Sequence, residues 1–353
     1  MARRHLPNLT DRYLVRVCEM FLEGIPVSRI AEWINTEVRQ EDRSLHVTRE
    51  QIYPLINEAR KRGYFVIHPP AHVVLRQRLT DLYRIPETGG GPITVVNAVG
   101  PSAVEHVAAE AAGLALRLIK TLGSRKKPVH IGLGAGFTTL RIAHYLAALL
   151  RAEPTVPPLV LHALSTGFRI DQPHIAPAAF FSLFASLHLQ LAYVGLFAPA
   201  VVSTQHYNTV KITPGVAESF AAAGEIDLVL TSLASAADEH GALNQFLSAH
   251  AGDVTDLQQA GWVGDVQYRP FSRQGPLAKE ANIRAVTLFD LPELVTLACT
   301  PHKYVIVVAG PCGECGRTRA DALHPLLTSP SLKVWTHLVT DFPTAQELVA
   351  LAL

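Results

Sequence analysis

The sequence predicts an α/β protein: an N-terminal winged helix-turn-helix, then a Rossmann-like domain whose mostly parallel sheet carries helices on both faces. Two observations carry that prediction. Residues 1–70 read as short amphipathic helices with an alternating apolar tail, and from residue 92 onward β-rich apolar runs alternate with long helical stretches. A third sets the scale: 353 residues, 48% hydrophobic and only 17% charged, supply enough core for two domains. The expected division is 1–70 for the helical domain, 71–92 for a linker helix and turn, and 93–353 for the α/β domain.

In the first domain, Leu14, Val17, Cys18, Phe21 and Leu22 recur at helical spacing, and Gly24 with Pro26 ends the run. The second helix, SRIAEWINTEV, gathers Ile30, Ala31 and Ile34 on one apolar face. After the polar break RQEDRSLHV, Thr48 and Gln51 form a capping box that starts a third helix, REQIYPLINEARKRG, closed by a basic last turn and Gly63. Tyr64–Ile67 then alternates as a short strand before Pro69-Pro70. Two features strain the motif. Pro54 sits inside the third helix, where it removes a donor and bends the chain. The preceding break exceeds the turn of roughly 3–4 residues usual for helix-turn-helix units.

A connecting helix is expected over Ala71–Tyr83, with ETGGG at Glu87–Gly91 as a flexible turn. PITVVNAV, PVHIGLGAG, LVLHAL, YVGLFAPAVV, IDLVLTSL and KYVIVVAG then read as strands. Between them lie helices such as SAVEHVAAEAAGLALRLIKTL and FTTLRIAHYLAALL. Alternation of this kind implies parallel strands with helices on both faces, and ligands of such sheets bind at the carboxyl ends of the strands.

Charge and composition exclude several classes. A net charge of +1 rules out a polycation, so any nucleic-acid footprint is local. The cysteines, Cys18, Cys299, Cys312 and Cys315, are too few and scattered for a disulfide framework, and Met1–Arg16 lacks the apolar run of a signal peptide. A cytoplasmic protein is expected. From Gln172 to Val210 no Asp, Glu, Lys or Arg occurs. His188 and Gln190 interrupt that run, Pro177 and Pro199 flank it, and its character changes at Tyr193. A buried helix followed by a buried strand fits it better than a membrane span.

The sharpest chemical signal is IGLGAGFTTLRIA. A buried strand runs into Gly132, Gly134 and Gly136, and a helix begins near Thr138, so backbone amides and the hydroxyls of Thr138 and Thr139 surround a helix N-terminus suited to phosphate or carboxylate. No Gly-Lys-Ser/Thr follows, which excludes a nucleotide P-loop. As a dinucleotide fingerprint, GLGAGF lacks the last glycine and the acidic residue about 20 positions on. On the third helix, Thr48, Arg49, Gln51, Tyr53, Asn57, Arg60, Lys61 and Arg62 offer donors for phosphates and base edges.

The order of these features resembles the SorC-type family of sugar-binding transcriptional regulators. RLTDLYRIPETGGGPITVVNAV, PVHIGLGAGFTTLRIAHYLA, EIDLVLTSLAS, GWVGDVQYRPFSRQGP (with Gly264, Asp265 and Phe271) and YVIVVAG followed by LVTDFPTAQELVAL resemble its successive segments, from about residue 10 to 353. The resemblance implies an N-terminal helix-turn-helix and an effector domain related in fold to sugar-phosphate isomerases. Its implied partners are double-stranded operator DNA and a small sugar-like effector, in a homodimer or homotetramer, with no membrane and no cofactor. It implies that Gly134, Gly136, Phe137, Thr138 and Thr139 cradle a phosphate or acidic group. By the same resemblance Asp265 would accept hydrogen bonds from sugar hydroxyls, with Arg169 and Arg317 as the expected charged contacts. After YVIVVAG the chain departs from the family, which places a lysine where this chain has PCGECGRTR: Glu314 stands near that position and Arg317 and Arg319 follow, so the expected ligand is either unphosphorylated or held by arginine. Thr231 and Ser232 replace central-strand glycines.

A rival reading remains. Asp238-Glu239-His240, followed by Gly241 and Asn244, is superficially similar to the acidic-plus-histidine loop of glucosamine-6-phosphate deaminases, and such a set could move protons on a sugar. The glycine-rich strand end that should precede it is absent, and a non-enzyme is expected. Cys312-Gly-Glu-Cys315 could bind zinc or form a redox pair, but a closed zinc site needs four ligands and no second pair follows, so no metal ligand is expected. His302 and His324 are near in sequence only.

Overall fold

The computed structural model describes residues 9–40, 45–62, 64–65, 69–86, 92–167, 169, 171–248, 252–277 and 283–353. Contacts divide the chain into two compact units, Met1–Ile67 and His68–Leu353.

The first unit is built from helices Asp11–Leu22, Val27–Thr36 and Ile52–Lys61 around Leu14, Val17, Ile30, Ile34, Ile52, Leu55 and Ala59. The first helix ends as expected: Gly24 takes φ +80°, and Ile25 N–H donates back to Met20 O at 3.0 Å. Its apolar face is narrower than its spacing suggested, because Phe21 and Leu22 are exposed and Met20 is buried instead. The long break before the third helix is closed by Asn35, whose side-chain amide donates to Val47 O (2.8 Å) and accepts from Val47 N (2.9 Å). A 3₁₀ turn, Arg49–Gln51, precedes the third helix, so Pro54 falls in the first α-helical turn rather than mid-helix, where its missing donor costs little. Tyr64 and Phe65 are in no strand. Gly63, Val66, Ile67 and the ETGGG turn lie outside the described residues.

In the second unit the strands are β1 (Ile93–Val96), β2 (Val129–Leu133), β3 (Leu159–Ala163), β4 (Leu191–Val194), β5 (Val201–Ser203), β6 (Leu228–Ser235), β7 (Trp262–Val266), β8 (Arg269–Ser272), β9 (Gly275–Pro276), β10 (Ile283–Ala285), β11 (Tyr304–Ala309) and β12 (His337–Asp341). Seven of them form a parallel path in the order β1-β12-β11-β6-β2-β3-β4. Central strands are buried on both faces. Val305 and Val307 of β11 share one core with Leu326 and Leu348, while Ile306 and Val308 are equally buried and by alternation point to the other face. Helices Ala103–Gly123 and Phe137–Ala152 pack together there, locked where Glu105 accepts from Arg141 Nε (2.8 Å) and Tyr145 OH (2.9 Å). The connecting helix, Val73–Leu82, belongs to this unit: Leu75 and Leu79 enter its main core, and Tyr83 OH donates to Leu348 O at 2.8 Å.

Two features differ from expectation. The uncharged stretch forms helix Pro177–Ala185 and then β4, but β4 is the sheet's edge and Tyr193 is 41% exposed, so that strand is not buried. No described helix is long and apolar enough to cross a membrane. Beyond the parallel path, the last residues of β6 turn into an antiparallel extension with β7, β8 and β9, which strand-helix alternation did not anticipate.

Candidate functional site

The chain moves from β2 through β3 to β4 toward one edge, and from β6 through β11 to β12 toward the other, so the strand order reverses between β2 and β6. The crevice at such a reversal is where open α/β sheets bind ligands. The glycine run lies there. Gly134 N–H donates to Leu230 O (2.9 Å), and a Cβ on Gly134 would stand 2.9 Å from Thr231 Oγ1. Gly134 is therefore a spacer that lets β2 and β6 close up, and its amide is already used. Gly136 N–H is likewise spent on Ile175 O (3.0 Å), but its φ of +105° turns the chain so that the helix from Phe137 starts at the crevice with no side-chain cap. The amides of that first turn have no intrahelical acceptor.

An open cleft adjoins this turn, lined by Gly136, Phe137, Thr138, Arg169 and Asp265 among the sequence-predicted residues. Phe137 does not fill it. The ring is 41% exposed at the rim, edge-on to His174 at 5.9 Å. Thr139 and Arg317 are placed elsewhere. Thr139 is fully buried with its hydroxyl 3.4 Å from Ala135 O, because it follows Thr138 by one helical step and faces the core. Arg317 is exposed, and its carbonyl accepts from Cys312 N–H. Arg169 is held by Asp171 (2.7 and 3.2 Å) and by Gln245. Asp265, on β7, is 4% exposed. Burial pushes its carboxyl up to about 7, against the charge of Arg319 and a backbone N–H at Tyr268.

Of the two arginines that follow PCGECG in the sequence, Arg319 and not Arg317 lines the cleft, and sequence reasoning missed Gln267 and Tyr268 beside it. Arg319 is held with Nε on Gly310 O (3.0 Å), Nη1 on Leu233 O and Nη2 on Asp238 Oδ2 (3.3 Å). Gln267 and Tyr268 form the two-residue turn joining β7 to β8, at φ +52° and +63°, a region disfavoured for residues with a Cβ. Gln267 is 95% buried by its relative exposure of 5%, lines the cleft, and neither polar atom of its amide has a partner among the described residues. Nothing in V-Q-Y-R signals a hairpin, since such turns ordinarily use Asn or Gly.

The rival's residues split. Asp238 is buried and bound by Arg319, His240 reaches the cleft wall, and Glu239 is exposed. Among the described residues, those that could hold a metal are Asp238 and His240 with Cys312 and Cys315, whose ligand atoms all lie within 4.8 Å of one another. The two extra ligands are thus not His302, which is exposed beside Arg125, nor His324, which packs edge-on against Tyr83 at 5.8 Å.

In the first unit, Ile52, Leu55 and Ala59 bury one side of the third helix and leave Thr48, Arg49, Tyr53, Asn57 and Lys61 exposed, four of them spaced by four residues. Gln51 Oε1 accepts from Thr48 N–H (2.8 Å), the return half of the capping box, so Gln51 is committed to the helix start. The Arg60 guanidinium rests on Asn57 Oδ1 at 3.1 Å.

Residues 74–350 match the family model described as "Putative sugar-binding domain". No curated protein sequence matches the chain. Among solved structures, the full-length sorbitol operon regulator SorC from Klebsiella pneumoniae is similar at TM-score 0.63 and 15% identity, over 97% of this chain and 100% of that one. A probable sor operon regulator from Shigella flexneri gives 0.60 at 15% identity over 78% and 98%. A DeoR family transcriptional regulator from Listeria monocytogenes gives 0.58 at 18% over the same shares. These likenesses are of fold.

Proposed function

Because the chain belongs to this family of sugar-binding domains, we propose that it is a DNA-binding transcription regulator whose operator affinity is set by a small sugar, sugar phosphate or sugar acid in the second unit's cleft. One observation carries the effector half: an uncapped helix start, a buried carboxyl and a buried, unpartnered amide meet in a single cleft where the strand order reverses. The first-turn amides, Thr138 and Arg169 suit an anionic group. Asp265 and Gln267 suit hydroxyls, because a desolvated polar group gains most from the partner it lacks. Binding needs no cofactor. Asp238 is sequestered by Arg319 rather than offered to a substrate, which favours sensing over catalysis. The relatives' names as operon and transcriptional regulators agree with this reading.

For the DNA half, the stripe from Arg49 to Lys61 presents cations and amides on an otherwise packed helix, the arrangement that reads a major groove. Two half-sites require two copies, hence a homodimer or homotetramer acting on duplex operator in the cytoplasm. Operator affinity should fall steeply with salt, and Arg49→Ala with Arg60→Ala should abolish it; unchanged affinity removes this helix from the interface. A screen of sugars, sugar phosphates and sugar acids should find a compound that raises the melting temperature, about 2.7 kcal/mol of stabilisation at a hundredfold excess over Kd. Thr138→Ala and Asp265→Asn should each shrink that shift. A hit indifferent to both would place the effector outside the cleft.

A further inference from the structure

Beside the cleft, two loops far apart in sequence meet: the one that follows β6 and carries Asp238 and His240, and the one that follows β11 and carries Cys312 and Cys315. From their geometry we infer that Asp238, His240, Cys312 and Cys315 form a four-coordinate site for a zinc-class divalent cation. Ligand type argues for that class. Two sulfurs, one imidazole nitrogen and one carboxylate oxygen suit zinc and disfavour magnesium or calcium, which take oxygen ligands.

Spacing argues for the coordination number. A tetrahedral zinc with bonds of about 2.0–2.3 Å holds nitrogen and oxygen ligands about 3.4 Å apart, and sulfur and nitrogen about 3.6 Å apart. Here His240 Nδ1 lies 3.3 Å from Asp238 Oδ1 and 3.7 Å from Cys312 Sγ. All four ligand atoms lie within 4.8 Å of one another.

The surroundings are built for it. The backbone N–H groups of Glu314 and Cys315 point at the Cys312 sulfur, and that of Arg317 at the Cys315 sulfur, so the loop already orients both sulfurs. Gly316, at φ +72°, turns the chain away immediately after the second cysteine. Asp238 Oδ1 also accepts from His240 N–H (3.0 Å), which fixes the carboxylate against the imidazole. Two thiolates and one carboxylate around a divalent cation leave one negative charge, and the Arg319 guanidinium on Asp238 Oδ2 offsets it. Asp238 and Cys312 are buried while His240 and Cys315 are exposed, so the site is open on one side for an ion to enter. The ion ties the two loops that hold His240 and Arg319 at the cleft wall. The inference stands apart from the sensing and DNA-binding reading, because its test reads neither sugar nor DNA.

The test uses the full chain, reduced and stripped of metal, titrated with Co²⁺ alone and then with Zn²⁺ alone. The expected result is one equivalent of Co²⁺ per chain, with intense visible d–d bands of a tetrahedral ion, near-ultraviolet thiolate-to-cobalt charge transfer, and displacement by Zn²⁺. Cys315→Ser and His240→Asn, both at exposed positions, should each weaken binding by at least about 100-fold. Cys299→Ser, an exposed cysteine outside the cluster, should leave it unchanged. Substoichiometric binding, weak octahedral bands without charge transfer, or wild-type affinity in both ligand variants would overturn the site.

Discussion

His162 lies on β3 with no exposed surface, its Nε2 3.0 Å from His130 Nδ1, and desolvation followed by the His130 charge lowers its pKa to about 4. Asp265 is its counterpart in the cleft, raised to about 7 by burial. The two act with opposite sign. His162 stays neutral in the fold while the unfolded chain protonates near 6.5, so its contribution is complete above that pH and is lost as pH falls through about 4. Asp265 holds its proton longer in the fold, so its contribution is complete below about 3.8 and is lost as pH rises through about 7. Each is worth on the order of 3–4 kcal/mol at its limit, so they largely offset one another in the wild type. Urea denaturation between about pH 4 and 7 should therefore show stability rising with pH in Asp265→Asn and falling with pH in His162→Gln. Parallel profiles in the two variants would refute the assignment. Asp265→Asn should also be the more stable protein above pH 7 while losing effector, the trade expected where a site keeps an unfavourably buried group for binding.

At the scale of elements, two short turns shape the cleft against backbone preference. Gly136 leads into the helix from Phe137 at φ +105°, with open space where a Cβ would stand, so Gly136→Ala meets no clash and suffers only the conformational cost, roughly 1–3 kcal/mol. Its melting temperature should drop and its effector shift vanish together. The β7–β8 turn holds Gln267 and Tyr268 at positive φ, and a small cluster of Leu243, Leu247, Trp262 and Tyr268 fixes it over helix Ala242–Ser248. Gln267→Gly relieves strain and removes an unsatisfied amide, so it should raise stability by about 1–2 kcal/mol and lower affinity for a polyhydroxylated ligand. A destabilised Gln267→Gly would mean that the amide is satisfied in the free protein.

At the scale of the molecule, each unit owns its core: Leu14, Ile30 and Leu55 centre the first, and the sheet with its flanking helices centres the second. Helix Val73–Leu82 contributes Leu75 and Leu79 to the second, so a chain beginning near His68 keeps that core whole. Such a truncation should fold, retain the effector-induced rise in melting temperature, and show no operator binding. Loss of the effector shift from the truncated chain would show that the cleft depends on the first unit.

Local physics wrote much of this protein into the sequence. Apolar period fixed the helices and the parallel strands, and glycine and capping chemistry marked Gly24, Gly136 and Thr48 as element ends, because each acts within a few residues of itself. The helix start at Phe137–Thr138 was legible for the same reason. Tertiary structure alone chose which neighbours meet. Alternation cannot tell an edge strand from a central one, so β4 was misjudged, and a hairpin turn without Asn or Gly left β7–β9 unseen. Arg319 rather than Arg317 reaches the cleft because the loop after β11 closes on itself through Cys312. Cys312 and Cys315 gained Asp238 and His240 because parallel strands β6 and β11 end side by side, an adjacency that spacing along the chain does not encode.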